Sequence, residues 1–186
     1  AGFRFLITDE NRLYTFVGLG VNQIYSNLYS ESILPMNEWV YVSSVRDDNK
    51  LELYINGNLD ASRNDLSSEN ISFNGSQYDH DIYLIGGYYQ SHNNQAQGYN
   101  PLYSGFISSI ELYKSALIEN DLNMSMNNNI QFNNNLVGYW NFDEGSGDIL
   151  YDHSGNDNHG TIHGATWVEN IYGCTDFYAC NYDETA

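Results

Sequence analysis

Residues 37–57 read Asn37-Glu38-Trp39-Val40-Tyr41-Val42-Ser43-Ser44-Val45, then Arg46-Asp47-Asp48-Asn49, then Lys50-Leu51-Glu52-Leu53-Tyr54-Ile55, closing on Asn56-Gly57. From Leu51 onward, Leu51, Leu53 and Ile55 fall on one side and Glu52, Tyr54 and Asn56 on the other. That is the period-two alternation of a strand with one buried face. Trp39 to Val45 reads as the preceding strand, with Trp39 in the core, and Arg46 to Lys50 as its turn. Asn56-Gly57 predicts a type I′ hairpin turn, because both central residues of that turn need positive φ. Tyr103-Ser104-Gly105-Phe106-Ile107 to Tyr113 repeats the alternation, and Phe106 to Tyr113 reads as another strand. Glu52 and Glu111 each stand alone on such a strand and are expected to face solvent.

Phe3, Phe5 and Ile7 alternate with Arg4, Leu6 and Thr8; Leu13 to Val17 is a strand ended by Gly18 and Gly20. Ile82 to Ile85 is a buried-type strand stopped by Gly86-Gly87. Many short strands separated by Gly, Asn and Asp imply a β-sandwich or barrel. One short helix is predicted near Glu119 to Met126, with Glu119 and Asp121 in the first turn, where carboxylates favour the positive helix end. The Asn-rich runs 127–129 and 133–135 read as loops. A second block, Leu136 to Trp167, is strand-like and carries Tyr139, Trp140, Phe142, Ile162 and Trp167, which need burial.

The chain has 186 residues, a length suited to one domain with a short appendage. Its net charge of −18 arises from 6 Lys and Arg against 24 Asp and Glu. Such a surface repels phosphates and anionic lipid, which argues against nucleic-acid and membrane-surface partners. No apolar run approaches the ~18 residues needed to span a bilayer. Cys174 and Cys180 are the only cysteines. A pair so close forms a small disulfide loop in an oxidising compartment, or stays as two free thiols.

Asn37–Ser62 (NEWVYVSSVRDDNKLELYINGNLDAS), Asp81–Tyr89 (DIYLIGGYY) and Tyr103–Leu122 (YSGFISSIELYKSALIENDL) resemble the hairpin and later strands of the concanavalin A-like, laminin G-like jelly-roll family. Leu136–Trp167 (LVGYWNFDEGSGDILYDHSGNDNHGTIHGATW) is similar to that family's opening strands. Gly173–Ala186 (GCTDFYACNYDETA) is similar to short Cys-containing repeats of secreted marine bacterial proteins. The resemblance implies an all-β, two-sheet antiparallel jelly-roll sandwich with one short helix, secreted or at the cell surface. Residues 1–170 are expected to form the laminin G-like domain and 171–186 to begin a Cys-containing repeat. The chain is expected to start after the family's first strands, so 136–167 either folds back to supply them, as in a permutation, or opens a second domain. An incomplete sandwich would expose a core face and an unpaired edge, which favours the fold-back. Ser108 stands where the family often has Asp, and Ile118 where it has a Ser or Thr helix cap.

The resemblance implies a non-catalytic binding module, and the residues agree. No Glu-x-Asp-x-x-Glu run, Gly-x-Ser-x-Gly elbow, phosphate loop or His-Glu-x-x-His motif is present. Aromatic and amide groups suited to an extracellular glycan or surface polysaccharide gather in what reads as a long loop after Gly87. Its candidate ligand residues are Tyr88, Tyr89, Gln90, His92, Asn93, Asn94, Tyr99 and Tyr103, with Tyr25 and Tyr29 behind them. Asp152, Asn156 and Asp157, with Asp143, are candidate ligands for Ca²⁺, which takes six to eight oxygens. The alternative for that loop is an Asx-turn on Asp152 with Gly155 at positive φ. His159 and His163 lack the further ligands that zinc needs. The functional expectation is carbohydrate recognition or adhesion with Ca²⁺ as candidate cofactor. The alternatives are a ligand-free structural spacer and an accessory domain of a secreted glycoside hydrolase.

Overall fold

The computed structural model describes residues 3–19, 24–66, 85–92, 95–101, 103–130 and 133–168. The strands are β1 (Phe3–Ile7), β2 (Leu13–Leu19), β3 (Ile24–Tyr29), β4 (Val42–Asp47), β5 (Lys50–Ile55), β6 (Asn58–Arg63), β7 (Gly87–His92), β8 (Gln95–Pro101) and β9 (Ile110–Tyr113). Helix α1 (Glu119–Met126) follows, then β10 (Leu136–Trp140), β11 (Ile149–Leu150) and β12 (Gly160–Thr161). The chain divides into two compact units, one of residues 1–105 and 112–137, the other of 106–111 and 138–186. Strands β9 and β10 are hydrogen-bonded neighbours. Among the described residues no helix is long and apolar enough to cross a membrane.

The first unit is an all-β sandwich. One antiparallel sheet has the order β1-β2-β3 and the other β4-β5-β6. Leu13, Val17, Phe5 and Leu28 of the first sheet meet Leu51, Leu53, Ala61 and Ile55 of the second, with Leu34 and Leu66 closing the ends. Leu13, Val17, Leu51 and Leu53 are fully buried, and each contributes about 2–3 kcal/mol by leaving water. Thr15 lies in the same interior and its hydroxyl accepts a hydrogen bond from the Ser44 hydroxyl at 3.1 Å, a polar tie across the layers.

Strand β5 is buried on both faces. Its outer residue Tyr54 lies under α1, packing with Val45 on Leu122 and Leu117, and Glu52 is buried beside Tyr54. Glu52, expected to face solvent, is only 6 % exposed. A helix covers the face that a two-layer reading leaves wet. The carboxylate is compensated by Lys50 and by the Tyr54 hydroxyl, which donates to it at 3.1 Å. Burial, the bond to Glu52 and the nearby charges of Glu52 and Glu119 push the Tyr54 hydroxyl up to about 12. Helix α1 has the predicted bounds, and Ile118 at its N-cap makes no side-chain capping bond.

The Asn56-Gly57 turn has φ of 48° and 76°, and Ile55 pairs with Asn58 across it, as a type I′ hairpin requires. The positive φ of Gly57 is what requires glycine there, and a Cβ would also push aside the end of the Asn123 side chain on α1.

Three strand boundaries differ from expectation. Trp39 is not in the core: it is 68 % exposed on the segment before β4, which begins only at Val42. The loop from Ser30 to Tyr41 is anchored through Leu34 instead. Phe106 is 64 % exposed, and the strand it was expected to open starts at Ile110. The long loop after Gly87 is a hairpin of β7 and β8. Residues 82–84 lie outside the described residues.

The two-sided burial of β5 generates two measurements. Gly57→Ala should lower stability by about 1–3 kcal/mol, from the positive φ, read as a drop in chemical-denaturation midpoint. Tyr54 has a folded value above its unfolded one. Its contribution is therefore complete below the ordinary tyrosine range near 10 and is lost as pH rises towards about 12. Unfolding titrations across that window should show the fall, and Tyr54→Phe should remove it.

Candidate functional site

The expected ligand residues of the β7–β8 hairpin are only partly brought together. Backbone register sets Tyr89 across from Tyr99, Tyr88 across from Asn100 and His92 across from Gln95, with Gln90 at a register shift. Asn93 and Asn94 lie outside the described residues. Tyr103 follows the hairpin, 41 % exposed, with its ring lying over Gly105.

The second unit is organised by Asp152. Its Oδ1 accepts from Tyr139 N at 2.9 Å and Ser154 N at 2.8 Å. Its Oδ2 accepts from the Ser154 hydroxyl at 2.8 Å and Asn158 N at 3.0 Å. Asp152 N donates to His159 Nδ1 at 3.0 Å, and Asn158 O receives the Trp140 indole at 3.0 Å. Gly155 (φ 88°) and Asp157 (φ 58°) turn the loop. This is the Asx-turn alternative, extended into a knot that joins β10 to the loop. Asp152 is 7 % exposed. Burial alone would raise its carboxyl, but the bonds from Tyr139, Ser154 and Asn158 outweigh it and hold the group below its ordinary value.

The four residues expected to hold calcium are differently engaged here. Both Asp152 oxygens are taken by four donors, Asp143 accepts from the Asn141 amide at 2.9 Å, and Asp157 lies 3.9 Å from His159. Among the described residues no three His, Cys, Asp or Glu side chains are placed to hold a metal ion. Asn141 Oδ1 and Glu144 Oε2 are buried acceptors lacking a hydrogen-bond partner, but two oxygens fall far short of the six to eight calcium takes. Cys174 and Cys180 lie outside the described residues.

A cleft of about 590 Å³ opens at one edge of the sandwich, where the last residues of β3 face the end of β6. Asn27, Leu28 and Tyr29 form one wall, and Ser62, Arg63, Asn64 and Asp65 the other. Tyr29 is 52 % exposed, and its ring is braced by its cross-strand partner Tyr14, with centroids 4.7 Å apart at 54°. Arg63 spans the cleft. Its Nε and Nη2 donate to the two Asp65 oxygens, each at 2.7 Å, and its Nη1 donates to Asn27 O at 2.8 Å. The Asn27, Ser62 and Asn64 side chains are exposed at its rim. The cleft thus offers an aromatic surface, neutral amide and hydroxyl groups, and a clamped ion pair. Of these residues only Tyr29 was among the sequence candidates. Arg63-Asn64-Asp65 carries no motif, and nothing local to it signals that Asn27 lies across from it.

The family model of concanavalin A-like lectin/glucanases matches residues 1–123. The chain belongs to this superfamily. No curated protein matches the sequence. Among solved structures, the chain is similar to a "putative carbohydrate binding protein" from Bacteroides ovatus, at 17 % identity and TM-score 0.57, covering 86 % of this chain and 44 % of that one. It also matches residues 221–444 of an S-layer domain-containing protein from Clostridium thermocellum, at 20 % identity and TM-score 0.40, covering 67 % of this chain and 55 % of that one. The chain therefore spans about half the length of each. For this member of the superfamily the likeness to the B. ovatus structure supports the sandwich fold.

The Asp152 knot makes the second unit acid-sensitive. A carboxyl held below its ordinary value adds stability above that value, and this is lost as pH falls through the lower, folded one. Near-UV circular dichroism of the tryptophans should report loosening in acid, below the usual carboxylate range. Asp152→Asn, which replaces one acceptor by a donor against Asn158 N or Tyr139 N, should show the loosened signal already at neutral pH.

Proposed function

We propose that the chain is a non-catalytic binding module that recognises carbohydrate outside the cell. The β3–β6 cleft carries the reading. Pyranose rings present apolar C–H faces, which stack on an exposed ring such as Tyr29, and a rim of hydroxyls, which bond to amides and hydroxyls such as Asn27, Ser62 and Asn64. Tyr14 fixes the Tyr29 ring and Arg63 fixes the width of the cleft, so little order has to be imposed on binding. The concanavalin A-like superfamily and the description of the B. ovatus protein point to the same ligand class. The surface charge of −18 supports a partner that is neither nucleic acid nor anionic membrane. Among the described residues that line this cleft the one acid is Asp65, which is engaged by Arg63.

Affinity electrophoresis of the whole chain through gels containing soluble polysaccharides, followed by calorimetry on any that retard it, tests the proposal. Tyr29→Ala should weaken binding by about tenfold or more, equivalent to about 1.4 kcal/mol, while lowering the melting temperature only slightly, by loss of the half-exposed ring's contact with Tyr14. Chelation should leave binding unchanged, since the one carboxylate among the cleft's described residues is paired with Arg63. Retardation that Tyr29→Ala does not alter would place the site elsewhere, and no retardation on any polysaccharide would leave the spacer reading.

A further inference from the structure

We propose that the cleft selects uncharged glycans and turns away uronate-bearing and sulfated ones, with the Arg63–Asp65 pair as the filter. The inference rests on the glycan reading of the cleft. Among the described residues two charged side chains line the cleft, and they cancel. Their two parallel bonds of 2.7 Å are the planar fork that a guanidinium makes with a carboxylate. The pairing holds the Asp65 carboxyl below its ordinary value and Arg63 above its own, so both stay charged and mutually engaged. A third guanidinium N–H is spent on Asn27 O. Of the five N–H donors of an arginine, two remain. They can donate to a sugar hydroxyl, but the positive charge behind them is already neutralised.

An anionic glycan would bring a carboxylate or sulfate into this space without an unpaired cation to receive it. At a surface this exposed such a group keeps much of its water, and what disfavours it is the lack of an uncompensated positive charge to attract it. The rest of the chain adds repulsion: only 6 Lys and Arg stand against 24 acids. Within the ~8 Å screening length of physiological salt the local pair decides, and beyond it the net negative field also disfavours an anion. A neutral hydroxylated ring meets neither penalty, and the Asn27, Ser62 and Asn64 side chains match it group for group. Arg63 is in this view a positioning residue. It holds β3 to β6 through Asn27 and, by its pairing, keeps Asp65 from repelling or capturing charge.

The test uses the full chain in gels containing a neutral glucan, a neutral galactan, polygalacturonate or a sulfated galactan, at low salt so that electrostatic binding is not masked. A neutral polysaccharide should retard the chain, and the two anionic ones should not. Asp65→Asn releases the guanidinium. It should create polygalacturonate binding about tenfold or more above wild type, weakened by added salt and abolished by adding Tyr29→Ala. Asp65 is largely exposed, so the variant should melt as the wild type does. Arg63→Gln should weaken the neutral ligand without creating anionic binding. Wild-type retardation by an anionic gel that Tyr29→Ala abolishes would overturn the selectivity while leaving the glycan reading in place. An Asp65→Asn chain indifferent to polygalacturonate would overturn the filter. Indifference to all four polysaccharides would overturn both.

Discussion

Strand β5 has no face to water. Leu51 and Leu53 fill the interior between the two sheets, and Tyr54 packs under α1 with Glu52 buried beside it. The remaining structure of the first unit depends on that double burial, because it admits one register. A slip of one residue would carry Glu52 into the apolar interior and Leu53 against Lys50 and the helix. Removing a carboxylate from water unpaired costs several kcal/mol, which the packing of one apolar side chain does not offset. The type I′ turn at Asn56-Gly57 fixes the same register from the end of the strand, and its glycine lies against the end of the Asn123 side chain on the helix. Through β5 the register passes to β6, where Arg63 stands opposite Leu51 and reaches Asn27 of β3. The cleft is a consequence of core packing two strands away.

The second unit solves a different problem. Among its described residues only two apolar side chains, Trp140 and Leu150, are buried, and the strands are short, with β11 and β12 pairing over two residues each. Its order comes from polar saturation: one buried carboxylate takes four donors, a histidine nitrogen takes the amide of that same aspartate, and two indole N–H groups reach loop carbonyls at Asn158 and Gly147. Gly138 contributes by lacking a side chain, since a Cβ there would overlap the Trp140 ring. Such a loop is rich in oxygen donors. The Asp152 oxygens are committed to the backbone and to Ser154, with four donors between them.

The sequence was legible where one local rule decides. Alternation placed β5, the Asn-Gly pair placed its turn, and Glu119 and Asp121 marked the first turn of α1. It was silent where a distant element decides. Nothing near Tyr54 shows that a helix some seventy residues later covers it. Trp39 sits in a strand-like string, yet Leu34, a few residues earlier, takes the buried place in that loop, held by a bond from its amide to Asn11 O. The hairpin from Gly87 to Pro101 escaped because its polar, glycine-containing strands lack the alternation that marks a buried face. The Asp152 loop was read in both its forms, and the donors that distinguish them, Tyr139 N and Asn158 N, lie on either side of it in sequence. The cleft was nearly invisible, since its two walls are separated by more than thirty residues and only a tyrosine on one of them attracts notice.

The location of that cleft follows from the architecture. A sandwich of two open sheets buries its central strands and leaves edges, and edges are where backbone carbonyls and ring faces stay accessible. Asn27 O on β3 is such a carbonyl, and here it is met by Arg63 rather than by another strand. Capping an edge with a charged side chain guards against adding a strand from another chain, a hazard for any exposed β edge. The same guanidinium then leaves beside it a shallow, electrically balanced hollow with an aromatic ring braced at its lip. Protection of the edge and preparation of a neutral binding surface are thus two results of one ion pair. The sandwich alone would leave an open strand, and it is the Arg63–Asp65 pair that occupies its Asn27 carbonyl while leaving the described walls beside it electrically balanced.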